Sequence, residues 1–147
     1  EGLVHLLQSK TKAYALPILQ DQDISKALEL RKAGLGLLGS ISGDTKAVAC
    51  IEDTAVSLED FAPYMADFTN LMNTFKQTPV YYAHAGAGEL HLRPNLNLKT
   101  SQGVKDFEAI TLAVAKLVKS YKGSFSGEHG DGIVRSPFIK LLLGEVC

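Results

Sequence analysis

Cysteine is scarce in this chain: only Cys50 and Cys147 occur among 147 residues. Neither sits in a Cys-x-x-Cys or Cys/His spacing, so no thiolate metal site is indicated. Cys50 lies in the apolar run Ala47-Val48-Ala49-Cys50-Ile51, which predicts a buried thiol in a reducing, cytoplasmic setting. Charge of one sign is also lacking. Fifteen basic residues against 16 acidic ones leave a net charge of −1, which gives no electrostatic case for nucleic acid or anionic lipid. No run approaches the ~18 apolar residues of a membrane span, so membrane association is expected only through a longer protein. The start, Glu1-Gly2-Leu3-Val4-His5, has no basic region followed by an apolar core, and no signal peptide is visible. These ends read as those of a fragment excised from a longer chain. What is present is 46% apolar and 21% charged residues. Those are ordinary globular values, with length enough for a real core and none of the bias of disorder.

Residues 12–16 alternate and predict a short edge strand ended by Pro17. Asp23 is positioned to cap a helix from Ile24 to about Lys32. The Gly- and Ser-rich stretch 34–45 reads as a loop. Lys46–Glu52 is a short, apolar run, hence a buried strand. Ser57 and Asp60 then open a helix whose apolar residues Phe61, Tyr64, Met65, Phe68, Leu71, Met72 and Phe75 keep i, i+3, i+4 spacing. Strands are predicted at Pro79–His84, Leu90–Arg93 and Ser124–Ser126. A second long helix is predicted over Ser101–Lys122, with Val104, Phe107, Ile110, Val114, Leu117, Val118 and Tyr121 inward and Gly123 as its stop. Pro137 opens a short terminal helix. From Lys46 onward the order is β-α-β-β-α-β. The expected class is therefore α+β: a ferredoxin-like split βαβ domain over 46–147, after an N-terminal extension of residues 1–45.

Gly34-Leu35-Gly36-Leu37-Leu38-Gly39 matches G-x-G-x-x-G, but a dinucleotide site needs a strand before it and a helix after it. Here a helical pattern precedes and a polar loop follows, so a flexible connection is the better reading. Three of the four histidines fall in two other motifs. The first is the hairpin around His84-Ala85-Gly86-Ala87-Gly88-Glu89-Leu90-His91. A two-residue turn at Ala87-Gly88 would pair 84 with 91 and bring two imidazoles onto one face. Held that way they can share a divalent metal. The same alternation turns Tyr81, Ala83, Leu90 and Leu92 toward the helices. Val80, Tyr82, His84, His91 and Arg93 are left on an open face, which marks a ligand site or an interface, including one with a second copy of the chain. The second motif is Ser126-Gly127-Glu128-His129-Gly130-Asp131-Gly132. Glu128 offers a third hard ligand, and two His plus one carboxylate leave open metal positions. Split βαβ topology separates the last strand from the hairpin by about two strand spacings, so Glu128 must reach inward from a strand end. Arg31 and Arg135 are candidates for a substrate carboxylate, because guanidinium fits one bidentately; a surface charge is the competing reading for each.

On these two motifs, with weaker support from Leu30-Arg31-Lys32-Ala33-Gly34 and Glu52-Asp53-Thr54-Ala55-Val56, the chain resembles the C-terminal domain of FAD-linked oxidases of the vanillyl-alcohol-oxidase type. That group includes D-lactate dehydrogenases, the D subunit of glycolate oxidase and D-2-hydroxyglutarate dehydrogenase. The wording is closest to the branch fused to an iron–sulfur oxidoreductase, which is then an implied partner domain. The resemblance implies that His84, His91 and Glu128 hold zinc or manganese, that His129 is the base for the substrate hydroxyl, and that Arg31 holds the substrate carboxylate. It implies FAD, held chiefly by a separate N-terminal domain that nothing here resembles, and oxidation of a 2-hydroxy acid to the 2-oxo acid. Two residues depart from the common pattern. Ala87 replaces an Asp, and Glu89 replaces an Asn at a position where the side chain would touch flavin or substrate. The Thr that sometimes follows the Arg by four residues is Leu35 here. The alternatives are a stand-alone ferredoxin-like module binding metal or a small molecule, and a purely structural domain with incidental histidines.

Overall fold

The computed structural model describes residues 2–145, with Leu35 described by its backbone alone; Cys147 lies outside the described residues. The chain divides after Leu37 into two compact units. Two helices, α1 (Gly2–Lys10) and α2 (Gln22–Gly39), run through the first unit and across its end. The strand expected over 12–16 is not formed, and Tyr14 is fully exposed. A lone strand leaves its ladder groups to water, and among the described residues of the first unit no other strand is present to pair with it. The expected loop at 34–39 is helical instead. Glycine in a helix costs only about 1 kcal/mol relative to alanine, so the three glycines weaken α2 without ending it. Asp23 lies inside the first turn and pairs with Lys26 at 2.9 Å.

The second unit contains β1 (Lys46–Ala47), β2 (Thr54–Ala55), α3 (Phe61–Thr74), β3 (Val80–His84), β4 (Glu89–Arg93), β5 (Asn95–Leu96), α4 (Ser101–Ser120), α5 (Gly132–Arg135) and α6 (Ile139–Leu143). It is an α+β unit with antiparallel pairing throughout. The two long helices form where the apolar spacing places them. Tyr64, Phe68 and Met72 of α3 and Ile110, Val114 and Val118 of α4 meet Leu90 and Leu92 of β4 in one buried core. The Tyr64 hydroxyl, buried with them, donates to Thr54 Oγ1 at 2.8 Å. Thr100 caps α4 by accepting from the Gly103 N–H. Val104, expected inward, is exposed. The stop of α4 is also reassigned. Lys122 takes the left-handed conformation (φ 54°). Gly123 is needed for space, since a Cβ there would lie 2.4 Å from Ala55 O. Cys50 is buried as expected, and burial pushes its thiol up to about 11.

The strand expected over 46–52 is split. Ala47 pairs with Asn95, and Thr54 with Leu90. Six residues, 48–53, therefore face four, 91–94. β1 and β5 form a two-stranded sheet separate from that of β2, so this two-residue excess bulges out between two ladders. The other departure is at the end of the sheet. Strands run in the order β2-β4-β3, and the predicted last strand, 124–126, is one bridge between Ser124 and Ala55. The edge of β2 beyond that bridge is left to a loop.

The hairpin register also differs from expectation. Residues 85–88 form the connection, a short 3-10 turn closed by Gly88 at φ 71°. His84 pairs with Glu89, and Tyr82 with His91. The register is thus two residues from the expected one. A one-residue slip reverses every side chain, whereas a two-residue slip preserves both faces. His84, Glu89 and His91 consequently share a face, and Leu90 and Leu92 keep theirs in the core. Gly88 fixes this turn: a Cβ would lie 2.1 Å from Val56 O, whose own N–H donates to Gly88 O at 3.0 Å. Gly88→Ala combines a left-handed penalty of about 1–2 kcal/mol with that clash. It is expected to destabilise the chain by at least about 2 kcal/mol in urea denaturation. Gly86→Ala, with open space around its Cβ, is expected to be nearly neutral. Equal midpoints for the two variants would contradict this account of the turn.

Candidate metal centre and its surroundings

The site lies on the sheet face opposite the helices. β3 supplies His84 and β4 supplies Glu89 and His91. The segment 126–131 approaches from beyond β2. His84 Nε2 and His91 Nε2 each lie 3.6 Å from Glu128 Oε1, and His129 Nε2 lies 3.4 Å from the same oxygen. Ligands bound at 2.0–2.1 Å to a tetrahedral ion stand about 3.4 Å apart, so this spacing suits one small divalent cation. His84, Glu89, His91 and Glu128 together offer donor atoms within 4.8 Å of one another. His91 is the buried member. Its ring stacks between Tyr82 (centroids 4.9 Å apart) and His129 (5.3 Å) and meets His84 edge-on at 5.3 Å. Burial lowers its pKa, and the neighbouring rings of His129 and His84 lower it further. A neutral imidazole is the form that ligates metal.

The bulge contributes two carboxylates that sequence reasoning did not place in the site, Glu52 and Asp53. Asp53 adopts φ 78° and is fully buried. Its carboxylate accepts from Ser126 Oγ (2.7 Å) and from the N–H groups of Glu128 and His129 (2.9 Å each). Burial raises its pKa, but hydrogen bonds from Glu89, Ser126 and the two N–H groups outweigh burial and hold it well below the usual carboxylate range. Glu52 accepts from Arg93 Nε at 2.6 Å, and its other oxygen lies 3.8 Å from His129 Nδ1. A charged pair inside an apolar strand run was the available signal, because such residues are seldom buried without a reason.

The remaining expected site residues are placed as follows. Arg135, expected to take a substrate carboxylate, is buried, and its guanidinium is committed to the chain itself. Nη1 donates to Glu52 O and Phe125 O, and Nη2 donates to Gly130 O at 2.6 Å. It also stands 3.6 Å from Asp53 Oδ2, so it clamps the 125–130 segment and supplies charge to the buried carboxylate. Arg31 is exposed on α2, in the first unit. Glu89, expected at the flavin, is buried and faces Asp53. Its Oε1 is buried without a hydrogen-bond partner, which disfavours the ionised form. The hydrogen bond to Asp53, then burial, then the charges of Glu128 and Asp53 push its pKa up to about 7. Gly127 passes close by, where a Cβ would lie 2.7 Å from Glu89 Oε1.

A family model described as FAD linked oxidases, C-terminal domain, matches residues 4–146. The chain is 37% identical over 123 residues to a D-2-hydroxyglutarate dehydrogenase of Pseudomonas putida, covering 84% of this chain and 12% of that protein. A D-2-hydroxyglutarate dehydrogenase of Haemophilus influenzae is 37% identical over 110 residues, covering 75% of this chain and 11% of that protein. Glycolate oxidase subunit GlcD of Bacillus subtilis is 21% identical over 141 residues, covering 95% of this chain and 29% of that protein. The chain thus spans about an eighth of the length of the D-2-hydroxyglutarate dehydrogenases it matches.

The Glu89–Asp53 pair sets a pH dependence. A raised carboxyl pKa means that the folded chain binds a proton the unfolded chain has lost. Its stabilising effect is complete below the ordinary Glu value of 4.5 and is lost as pH rises through about 7. In the metal-free chain, Glu89→Gln, which donates to Asp53 at every pH, is expected to flatten the fall in melting temperature between pH 5 and 8. Parallel melting profiles for the two proteins over that range would refute the raised Glu89 pKa.

Proposed function

We infer the function from one premise: the chain belongs to the C-terminal domain family of FAD linked oxidases. We propose that it is the substrate-binding, metal-carrying part of an FAD-dependent dehydrogenase of 2-hydroxy acids, with a 2-hydroxyglutarate-like acid as the favoured substrate. The relatives at 33–37% identity, all D-2-hydroxyglutarate dehydrogenases, support that choice. The observation that carries the reading is the convergence of three imidazole nitrogens on one carboxylate oxygen within 3.6 Å.

In this reading His84, His91 and Glu128 hold zinc or manganese. A divalent ion there would polarise the substrate 2-hydroxyl, and a flavin bound by a separate domain would accept the hydride from Cα. The chain's own residues do the rest. His91, buried and neutral, keeps a nitrogen lone pair available at neutral pH. His84, Glu128 and His129 are each about half exposed, so a ligand reaches them from the open face. His129 Nε2, beside Glu128, is placed to take the hydroxyl proton as general base. Tyr82 and the Glu52–Arg93 pair flank the cluster and limit how His91 and His129 can turn.

The test begins with metal. A chain stripped by chelation and titrated with Zn²⁺ or Mn²⁺ is expected to bind one equivalent. His84→Ala, His91→Ala and Glu128→Gln are each expected to weaken binding by at least about 100-fold, on the scale of ligand loss. His129→Gln is expected to keep the metal. In the full-length protein, His129→Gln is expected to cut kcat with D-2-hydroxyglutarate by about 10²–10⁴. A wild-type chain that takes up no divalent metal overturns the reading.

A further inference from the structure

We propose that Asp53 is the positioning residue of this site: its carboxylate sets the backbone path of residues 126–129, and through it the places of Glu128 Oε1 and the His129 ring. The inference deepens the metal reading above, and only its affinity readout rests on that reading.

The sheet cannot place these two side chains. Its last bridge is Ala55–Ser124, and β2 stands between Ser124 and the hairpin that bears His84 and His91. Beyond Ser124, Arg135 holds the carbonyls at the two ends, Phe125 O and Gly130 O, and Asp53 holds the residues between them. Asp53 O accepts the Gly127 N–H at 2.7 Å. Asp53 Oδ1 accepts the Glu128 N–H, and Oδ2 accepts both the His129 N–H and Ser126 Oγ. Its own N–H donates to Leu90 O at 3.0 Å, which ties the assembly to β4 one residue from His91. Four consecutive residues, 126–129, therefore hang on a single residue anchored to the strand that carries a ligand.

The geometry has a cost that the site keeps. A non-glycine residue at φ 78° is strained, although Asp tolerates that region better than most residues. A fully buried carboxylate demands complete hydrogen bonding, and here it has it, with Arg135 Nη1 3.6 Å away as counter-charge. The bulge is what turns Asp53 toward the loop, since a regular strand would keep residues 48–53 in register with β4 and β5. Asp53 also lies within 4.8 Å of donor atoms of His91 and His129, but its oxygens are already occupied by N–H and O–H donors. It acts through Glu128 and His129 rather than on a metal itself.

Three forms of this chain test the inference: wild type, Asp53→Asn and Ser126→Ala. The readouts are amide hydrogen exchange at Glu128 and His129 by NMR and zinc affinity by calorimetry. In the wild type both amides are expected to be protected. Asp53→Asn offers one oxygen to two N–H groups, so at least one amide is expected to exchange about tenfold faster or more. Zinc affinity is expected to fall by about 10–100-fold, the usual cost of losing an outer-shell partner. Amides in the middle of α4 are expected to keep their protection, which a general loss of structure would not allow. Ser126→Ala removes a single hydrogen bond to Oδ2 and keeps the buried charge paired; should Asp53→Asn fail to fold, faster exchange at His129 in Ser126→Ala carries the test. The inference is overturned by unprotected Glu128 and His129 amides in the wild type, or by wild-type exchange and zinc affinity in every variant that folds. A wild-type chain that binds no zinc, yet loses this protection in the variants, upholds the positioning role and overturns only the metal reading.

Discussion

A carboxylate removed from water has to find its hydrogen bonds inside the protein, and the site depends on how Asp53 meets that demand. Ser126, Glu128, His129 and Glu89 supply the donors, and Arg135 stands close enough to balance the charge. Those residues come from three separate stretches of sequence. Satisfying one buried group therefore closes the distance between the hairpin and the loop after α4. Packing supplies the platform, because Leu90 and Leu92 hold β4 against the helices. On that platform the side chains of the alternate face are free to point at the loop.

Glu89 shows how the same constraint reaches the surface. It pairs with His84 across the hairpin and faces Asp53 behind it. A second negative charge against Asp53 would be repelled, which favours the protonated form of Glu89. An Asn at this position would donate to Asp53 without any titration. A glutamate does the same only when protonated, so its hydrogen bond depends on pH. Gly127 is drawn into this packing, because no side chain fits between its backbone and the Glu89 carboxyl.

Much of the architecture was legible in the sequence. The two long helices follow from apolar spacing sustained over several turns, and Tyr64, Phe68, Met72, Ile110, Val114 and Val118 are buried as that spacing requires. The face shared by His84 and His91 was legible too, since alternation along a strand survives an even shift in register. The pairing itself was not legible. Gly88 meets Val56 O across the sheet, and a local turn rule contains no information about that contact. The bulge was hidden for a similar reason: Lys46–Glu52 reads as one apolar strand, and only the partner strand reveals two residues too many. Asp53 and Glu52 were therefore missed as parts of the site. Arg135 looked free because its three carbonyl acceptors lie on segments distant in sequence or folded into turns.

The hairpin register has a consequence for how such a loop can vary in length. The bend spans residues 85–88 and lies outside the ladder, while burial of Leu90 and Leu92 fixes which way β4 faces. Residues added within the bend would lengthen the loop and leave both imidazoles on the outer surface of the sheet. Variation in length is accordingly tolerated there, and not within the strands on either side, where one extra residue would turn a histidine toward the apolar interior.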